Sequence, residues 1–256
     1  MLHKETVSAG TLELIKRLMR DKELNSFILV GGTALSLQLG HRTSIDIDLF
    51  SKEGFDAKVL KIHLERTYQT EIRRTTENSA SGKIDGVQID FMTHRYPHVK
   101  SPLIEEGIRM ASLDDIAAMK FNVITRQPDR LKDFIDLYAM LEHKSLYELL
   151  TAYETKYPNV LRAMASNSLL YHGEIDFKTP VNLIGNKPLE WKVIEKRLRE
   201  AVNNPEKVFG FLNQKQQMKN EQKLSDEVKQ DQKSMLKKQE KLADLIKPKR
   251  RLRPKK

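Results

Sequence analysis

Residues 27–51 read FILVGGTALSLQLGHRTSIDIDLFS and contain the pattern from which the fold class follows. Phe27–Val30 is uniformly apolar and predicts a buried strand, and the two glycines after it predict a turn. Residues 33–39 predict a short helix, and Ile45–Phe50 alternates between apolar and polar side chains as a second strand does. This order predicts a small α/β unit in which a glycine turn follows a strand.

The second strand contains two acids, Asp46 and Asp48, at positions i and i+2. Because successive side chains of a strand alternate between its faces, both carboxylates are expected on one face. The other face is expected to be buried by the apolar neighbours Ile45, Ile47, Leu49 and Phe50.

These acids are candidate metal ligands. Neighbouring carboxylates on a half-buried strand repel each other unless a cation lies between them. Mg²⁺ is a hard cation that binds carboxylate and phosphate oxygens. A third predicted strand, 87–91, contains Asp90, so the predicted ligands of one or two Mg²⁺ ions are Asp46, Asp48 and Asp90. The alternative is an edge strand whose acids only face solvent.

The turn before the helix is a candidate phosphate site. Gly31 and Gly32 would let a phosphate approach backbone N–H groups, and Thr33 would add a hydroxyl donor at the start of the helix. The alternative is an ordinary strand-to-helix turn with Thr33 as the N-cap. Together with the aspartates, the turn indicates phosphoryl or nucleotidyl transfer.

The hydrophobic period changes from 2 to 3.6 at about residue 112, where Ser112 predicts a helix start. Helices are predicted at 113–126, 130–143, 145–156 and 190–202. The predicted fold class is therefore α+β, with three parts: an α/β domain over 1–110, a helical domain over 111–213 and a basic, partly helical or disordered tail over 214–256.

Lys120 lies in the middle of an apolar stripe on the first of these helices. A buried lysine is costly unless it finds an anion or its amine reaches solvent. A bound triphosphate would be such an anion, and Arg126 or Arg130 could add a second contact. Snorkelling of the amine to solvent is the alternative.

Asp133 and Asp136 share one face of the next helix. They are expected to form salt bridges with nearby basic side chains such as Lys120, and either acid could also accept a proton or organise Lys120. His41 and Arg42 precede the paired aspartates, where they could contact phosphate or acceptor or cap the loop.

Composition limits the classes of protein to consider. The chain of 256 residues has no cysteine, which excludes disulfides and thiolate metal sites. No apolar run approaches the roughly 18 residues of a membrane span, and the first ten residues lack a secretory signal, so a cytoplasmic protein without a membrane partner is expected. Residues 214–256 hold 15 Lys and Arg but six Asp and Glu, which accounts for a net +9 of the chain's +10.

Three motifs together resemble a known family: GGTALSLQLGHRTSIDIDLF, VQIDF and MKFNVITRQPDRLKDFIDL. They are similar to the AbiEii/AbiGii group of nucleotidyltransferase toxins, within the DNA polymerase β-type nucleotidyltransferase superfamily. The resemblance covers roughly residues 10–145. It implies a minimal nucleotidyltransferase α/β domain with a mixed sheet, followed by a helical domain.

The resemblance also implies roles for the first motif. Gly31, Gly32 and Thr33 correspond to the family's Gly-Ser type turn that binds the nucleotide, with Thr in place of the commoner Ser. Asp46 and Asp48 match its paired metal carboxylates, which would hold Mg²⁺.

In the later motifs, Lys120 with Arg126 matches the family's lysine-arginine helix, which binds nucleotide. Asp133 with Asp136 matches its Asp-x-x-Asp helix, and Asp90 lies where the wider superfamily has a third metal carboxylate. The implied catalytic residues are Asp46, Asp48, Lys120, Asp133 and Asp136.

Members of the family are toxins of type IV toxin–antitoxin or phage-defence systems, and some add nucleotides to tRNA acceptor ends. The expected function is thus Mg²⁺-dependent transfer of a nucleoside monophosphate from an NTP to an RNA hydroxyl, with tRNA the favoured acceptor and an antitoxin as a partner. Two alternatives stay open. The acceptor could be a protein or small-molecule hydroxyl, or the chain could be an inactive protein that binds RNA or a partner.

Overall fold

The computed structural model describes residues 1–185 and 190–210, and Met1–Phe209 form one compact unit. The helices of this part are α1 (Ala9–Arg20), α2 (Gly31–Leu39), α3 (Ala57–Tyr68), α4 (Leu113–Ile124), α5 (Leu131–Met140), α6 (Leu146–Lys156), α7 (Arg162–Ser168) and α8 (Trp191–Asn203). The strands are β1 (Phe27–Val30), β2 (Ile47–Ser51), β3 (Glu71–Thr76), β4 (Ser79–Ile84), β5 (Val87–Thr93), β6 (Leu103–Glu105) and β7 (Ile108–Met110).

The strands form one mixed sheet in the order β3-β4-β5-β2-β1-β7-β6. Strand β2 lies between antiparallel β1 and parallel β5, so the segment with the paired aspartates runs through the middle of the sheet. The predicted α+β class with a mixed sheet is confirmed. The predicted tail, 214–256, lies outside the described residues.

The two faces of the sheet differ in burial. One face carries Phe27, Leu29, Leu49 and Phe91, all buried, and the Phe27 ring packs edge-on against Phe91 with 5.3 Å between centroids. Strands buried on this face anchor the sheet through apolar contacts. The other face carries Asp48, which is partly open.

The helices after residue 112 begin where local chemistry predicts. The Ser112 hydroxyl accepts a hydrogen bond from the Asp115 N–H at the start of α4. Ser145 and Glu148 form a reciprocal capping box at the start of α6. Helix α4 packs most extensively against α6, while α2 contacts both α4 and α5, which places the α4 and α5 side chains near the glycine turn.

The strand with the paired aspartates is shorter than predicted. It begins at Ile47, so Asp46 lies in the preceding loop and Ile45 is 67% exposed rather than buried. The reason is that β1 ends at Val30, the partner of Asp48, and the chain turns into α2 at the next residue. Phe50 was predicted on the face opposite Asp48, but it lies on the same face, because it follows Asp48 by two positions in the strand.

Residues 55–67 predict an amphipathic helix with Phe55, Val59, Ile62 and Leu64 on its apolar face, and this prediction is partly wrong. Val59 and Ile62 are exposed, and the buried face of α3 is instead formed by Ala57, Leu60, Leu64 and Tyr68. The short elements β6, β7 and α7 were not predicted, because three to seven residues give too little periodicity to recognise.

The predicted domain boundary between residues 110 and 111 stays a prediction.

Among the described residues, none of the helices is both long and apolar enough to cross a membrane.

Candidate active site

Asp48 and Asp90 are brought together by strand register. They are Cα partners on the parallel strands β2 and β5, so their side chains leave the same face of the sheet side by side. Burial, together with the charges of Asp90 and Asp46, raises the pKa of Asp48 to about 6, although Lys120 and Arg130 oppose the shift. A pair of crowded carboxylates is thus held where a cation would relieve their repulsion.

Asp46 is exposed in the loop before β2. It lies close enough to Asp48 for its charge to raise the pKa of Asp48. Two of the three predicted ligands are therefore set by the sheet, and the third is set by a loop.

Gly31 allows the glycine turn to approach Asp48. Its φ of +67° is in the left-handed region, and a Cβ built on it would lie 2.5 Å from Asp48 Oδ2. A Cβ on Gly32 would collide with the Arg42 guanidinium. Both glycines are therefore required by space at this site, and Gly31 is also required by backbone conformation.

The Thr33 hydroxyl is buried and points at the aspartate loop. It donates to the backbone carbonyl of Asp46 and lies 2.9 Å from Ser44 Oγ. In this conformation the hydroxyl fastens the start of α2 to the segment that carries Asp46. Its predicted contact with phosphate stays a prediction.

Asp136 is fully buried and accepts hydrogen bonds from three side chains. Arg42 binds it with both Nε (2.7 Å) and an Nη (2.9 Å), His41 Nε2 lies at 2.7 Å and Lys120 Nζ at 2.6 Å. Although burial alone would raise it, the pKa of Asp136 is held well below its usual range by Lys120, Arg42 and His41. Asp136 therefore stays ionised and joins α5 to α4 and to the loop after α2.

Lys120 lies between the two acids of α5. Its Nζ is 2.5 Å from Asp133 Oδ1 and 2.6 Å from Asp136 Oδ2, which confirms the predicted salt bridges. Burial opposes the shift, but Asp136 and Asp133 raise the pKa of Lys120, so the amine stays charged. The snorkelling alternative does not apply, because the side chain is buried.

Arg130 joins this cluster from the loop before α5. Its Nε is 3.1 Å from Asp133 Oδ2, and its charge lowers the pKa of Asp48. With Lys120, Arg42 and Arg130 against two carboxylates, the cluster keeps one net positive charge beside the glycine turn. Arg126 is also exposed, but its charge acts on Tyr157, where it opposes the rise in pKa that burial causes.

Sequence reasoning named His41 and Arg42 but not their partner. Arg42 and Asp136 are 94 positions apart, and no local pattern connects them. The only signal was an arginine-histidine pair between two motifs. Ser44, which bonds to Thr33, was not found.

The acidic residues fit a divalent metal in their chemistry. Oxygen donors on adjacent strands suit a hard cation, and the crowding of Asp48 by Asp90 is what a bound cation would offset. Within residues 1–185 and 190–210, no three His, Asp or Glu side chains converge closely enough to hold a metal ion by themselves. Asp46, a triphosphate or water would supply the further oxygens of a complete site.

Comparisons with known proteins identify similar sequences and folds. A family model described as nucleotidyl transferase AbiEii toxin, type IV TA system, matches residues 13–102. An uncharacterised protein of Aquifex aeolicus is 31% identical over 153 residues, which cover 57% of this chain and 74% of that protein.

Two solved structures align with most of this chain. MenT4, a nucleotidyltransferase toxin from Mycobacterium tuberculosis, is 13% identical, with a TM-score of 0.50 over 76% of this chain and 84% of MenT4. JHP933 from Helicobacter pylori is 15% identical, with a TM-score of 0.47 over 86% of this chain and 98% of JHP933.

The family match and the shared fold define the class of protein as a nucleotidyltransferase, an enzyme that transfers nucleoside monophosphates. Enzymes of this class generally use a divalent metal ion. The chain belongs to the AbiEii nucleotidyltransferase toxin family.

Proposed function

We propose that this protein is a Mg²⁺-dependent nucleotidyltransferase that transfers a nucleoside monophosphate from an NTP to a hydroxyl of RNA, in particular tRNA. Its role would be that of the toxin in a type IV toxin–antitoxin or phage-defence system, with an antitoxin as partner. The observation that carries the proposal is the in-register pair Asp48 and Asp90, which lies against the close turn at Gly31.

Asp48 and Asp90 would hold Mg²⁺, with Asp46 as a further ligand from its loop. When bound, Mg²⁺ supplies charge neutralisation at the triphosphate and lowers the pKa of the attacking hydroxyl. The turn at Gly31 and Gly32 would bind phosphate oxygens through backbone N–H groups at the start of α2.

The buried cluster would stabilise the negative charge of the leaving pyrophosphate. Lys120 is held by Asp133 and Asp136 in one position, so its charge is already oriented before the triphosphate binds. Arg130 is exposed, and its charge acts on the pKa of Asp48, so we assign it a direct phosphate contact. The pKa of Asp136 is too low for a proton acceptor, which favours the role of organising Lys120.

RNA as the acceptor is supported by the toxin family and by charge. The net +9 of residues 214–256 would add a salt-dependent attraction for phosphate. A protein hydroxyl as the acceptor would use the same chemistry, so the experiment must offer both.

The test is transfer of label from each α-³²P-NTP, with Mg²⁺, to a mixture of total tRNA and cell protein. The Asp48→Asn variant keeps the shape of the side chain but removes its charge. We expect label on RNA with the wild-type protein and a loss of roughly a hundredfold or more with Asp48→Asn, because a metal carboxylate acts in the transition state.

Asp85→Asn is the matched control, since Asp85 is an exposed acid in the β4–β5 turn. It should leave the rate unchanged. Label on protein instead of RNA would overturn the acceptor, and label that survives Asp48→Asn would overturn the assigned site.

A further inference from the structure

The face of the sheet that carries Asp48 continues beyond Asp90 as a row of side chains. Asp90 is the register partner of Ser81 on β4, and Ser81 is the partner of Arg74 on β3. Partners in register share a face, so Asp48, Asp90, Ser81 and Arg74 follow one another across four strands. Neighbouring strands are about 4.8 Å apart, which puts the Arg74 backbone about 10 Å from that of Asp90.

Two adjacent arginines end this row. The register of β3 shifts between Ile72 and Arg74, so Arg73 is the extra residue of a bulge, a feature that often re-aims side chains beside active sites. Both arginines are exposed, and within residues 1–185 and 190–210 neither has a carboxylate within 4 Å. On the same face, Lys83 lies opposite Glu71, so the positive excess there belongs to Arg73 and Arg74.

The direction of the reaction determines what binds this row. In phosphoryl transfer the attacking and leaving oxygens are roughly in line, on opposite sides of the phosphorus. The glycine turn follows β1, on one side of Asp48, and Asp90 lies on the other side. A pyrophosphate that leaves at the turn therefore requires a hydroxyl that arrives from the side of β5, β4 and β3.

We propose that Arg73 and Arg74 bind backbone phosphates of a single-stranded acceptor RNA whose 3′ end lies at Asp90. This inference rests on the proposed function, because it uses the assignment of the triphosphate to the glycine turn. A stacked strand advances about 3.4 Å per nucleotide, so 10 Å corresponds to about three nucleotides from the reacting hydroxyl. Acceptors shorter than that cannot reach the arginines.

The first measurement is the anisotropy of a fluorescein-labelled oligoribonucleotide of about 12 nucleotides, titrated with the full-length protein over a range of NaCl concentrations. The variant Arg73→Gln/Arg74→Gln should bind roughly tenfold more weakly, and the slope of log K against log salt should fall by about 1.4, or about 0.7 per lost phosphate contact.

The control Lys58→Gln/Arg66→Gln removes two exposed charges from α3 and should leave the slope unchanged. Arg73→Lys/Arg74→Lys should restore it. If the double Gln variant does not fold, Arg74→Gln alone should lower the slope by about 0.7.

The second measurement uses shortened forms of the RNA that the wild-type protein labels. These acceptors keep the 3′ end and consist of its last 2, 6 or 12 nucleotides, to about one nucleotide. The double Gln variant should raise the KM of the longer acceptors about tenfold, with kcat, the KM for NTP and the KM of the shortest acceptor unchanged. Equal effects of the double Gln variant and the α3 control would overturn the inference.

The two proposals can fail separately. A wild-type protein that labels no RNA overturns the proposed acceptor. The anisotropy measurement then still tests by itself whether Arg73 and Arg74 bind RNA. If the arginine variant loses binding to a protein partner but keeps its RNA affinity, the surface belongs to that partner and the RNA assignment is wrong.

Discussion

Gly31 places a backbone turn against a carboxylate because it has no side chain. Its φ is +67°, and an added Cβ would lie 2.5 Å from Asp48 Oδ2. Gly86 provides a comparison within the same chain, since its φ is +80° but an added Cβ would meet nothing within 4 Å. The backbone penalty is thus shared by the two glycines, and the steric contact with Asp48 is specific to Gly31.

We predict that Gly31→Ala lowers transfer activity at least tenfold, while Gly86→Ala leaves activity within about twofold of the wild type. Each substitution should lower the free energy of unfolding by about 1 kcal/mol through backbone strain alone, and Gly31→Ala should lower it further because Asp48 must move. Urea unfolding and label transfer measure the two effects. Equal activity of the two variants would show that the close approach at Gly31 has no role in the reaction.

Asp136 connects three separate segments of the chain. Through it, α5 is bonded to Lys120 of α4 and to the loop that contains His41 and Arg42. The arginine and the lysine are both buried, so neither can be rehydrated without movement of a helix or loop. Asp136 therefore joins the three segments through buried ion pairs, in addition to their packing.

We predict that Asp136→Asn lowers the free energy of unfolding by about 3–5 kcal/mol, because two buried cations lose their main counter-charge. The matched control is Asp114→Asn. Asp114 is also buried and also bonds two lysines, Lys100 and Lys144, but the Lys100 side chain is 61% exposed and can return to water. Asp114→Asn should cost about 1 kcal/mol or less. Similar losses in the two variants, measured by urea unfolding, would contradict the assigned importance of the cluster.

The stability of the folded unit should depend on pH through His94. Its ring lies in the loop after β5, close to the rings of Phe50, Tyr96 and Tyr157, and its Nε2 is 3.1 Å from the Tyr157 hydroxyl. Burial, together with the charges of Lys156 and His98, lowers the pKa of His94 to about 4, although Asp115 opposes the shift. The folded protein therefore holds this ring neutral at a pH where the unfolded chain would protonate it.

A lowered histidine pKa stabilises the protein above the unfolded value of about 6.5, and this stability is lost as the pH falls from 6.5 to about 4. We predict that, as the pH falls from about 7.5 to about 4.5, the wild type loses more free energy of unfolding than His94→Phe does. The raised pKa of Asp48 has the opposite effect over an overlapping range, but it is common to both proteins and cancels in the difference. A difference that does not change with pH would contradict the assignment, as would an NMR titration of His94 near its ordinary pKa.

Local pattern was sufficient for much of this fold. The strand Phe27–Val30, the glycine turn and the helix cap at Ser112 depend on residues within a few positions of one another, so the linear sequence predicts them. The side-by-side placement of Asp48 and Asp90 was also accessible, because each is an acid inside an alternating strand.

The sequence alone was thus enough to establish an α/β unit with carboxylates on one face of a central strand, followed by helices whose buried acids and lysine need partners. The folded chain was needed to identify Asp136 as the partner of Arg42, to bring Arg130 rather than Arg126 near Asp48, and to leave Asp46 in a loop. The physical reason is range. Periodicity and capping are set by neighbours along the chain, whereas ion pairs across 94 residues and the end of a strand are set by which elements pack together.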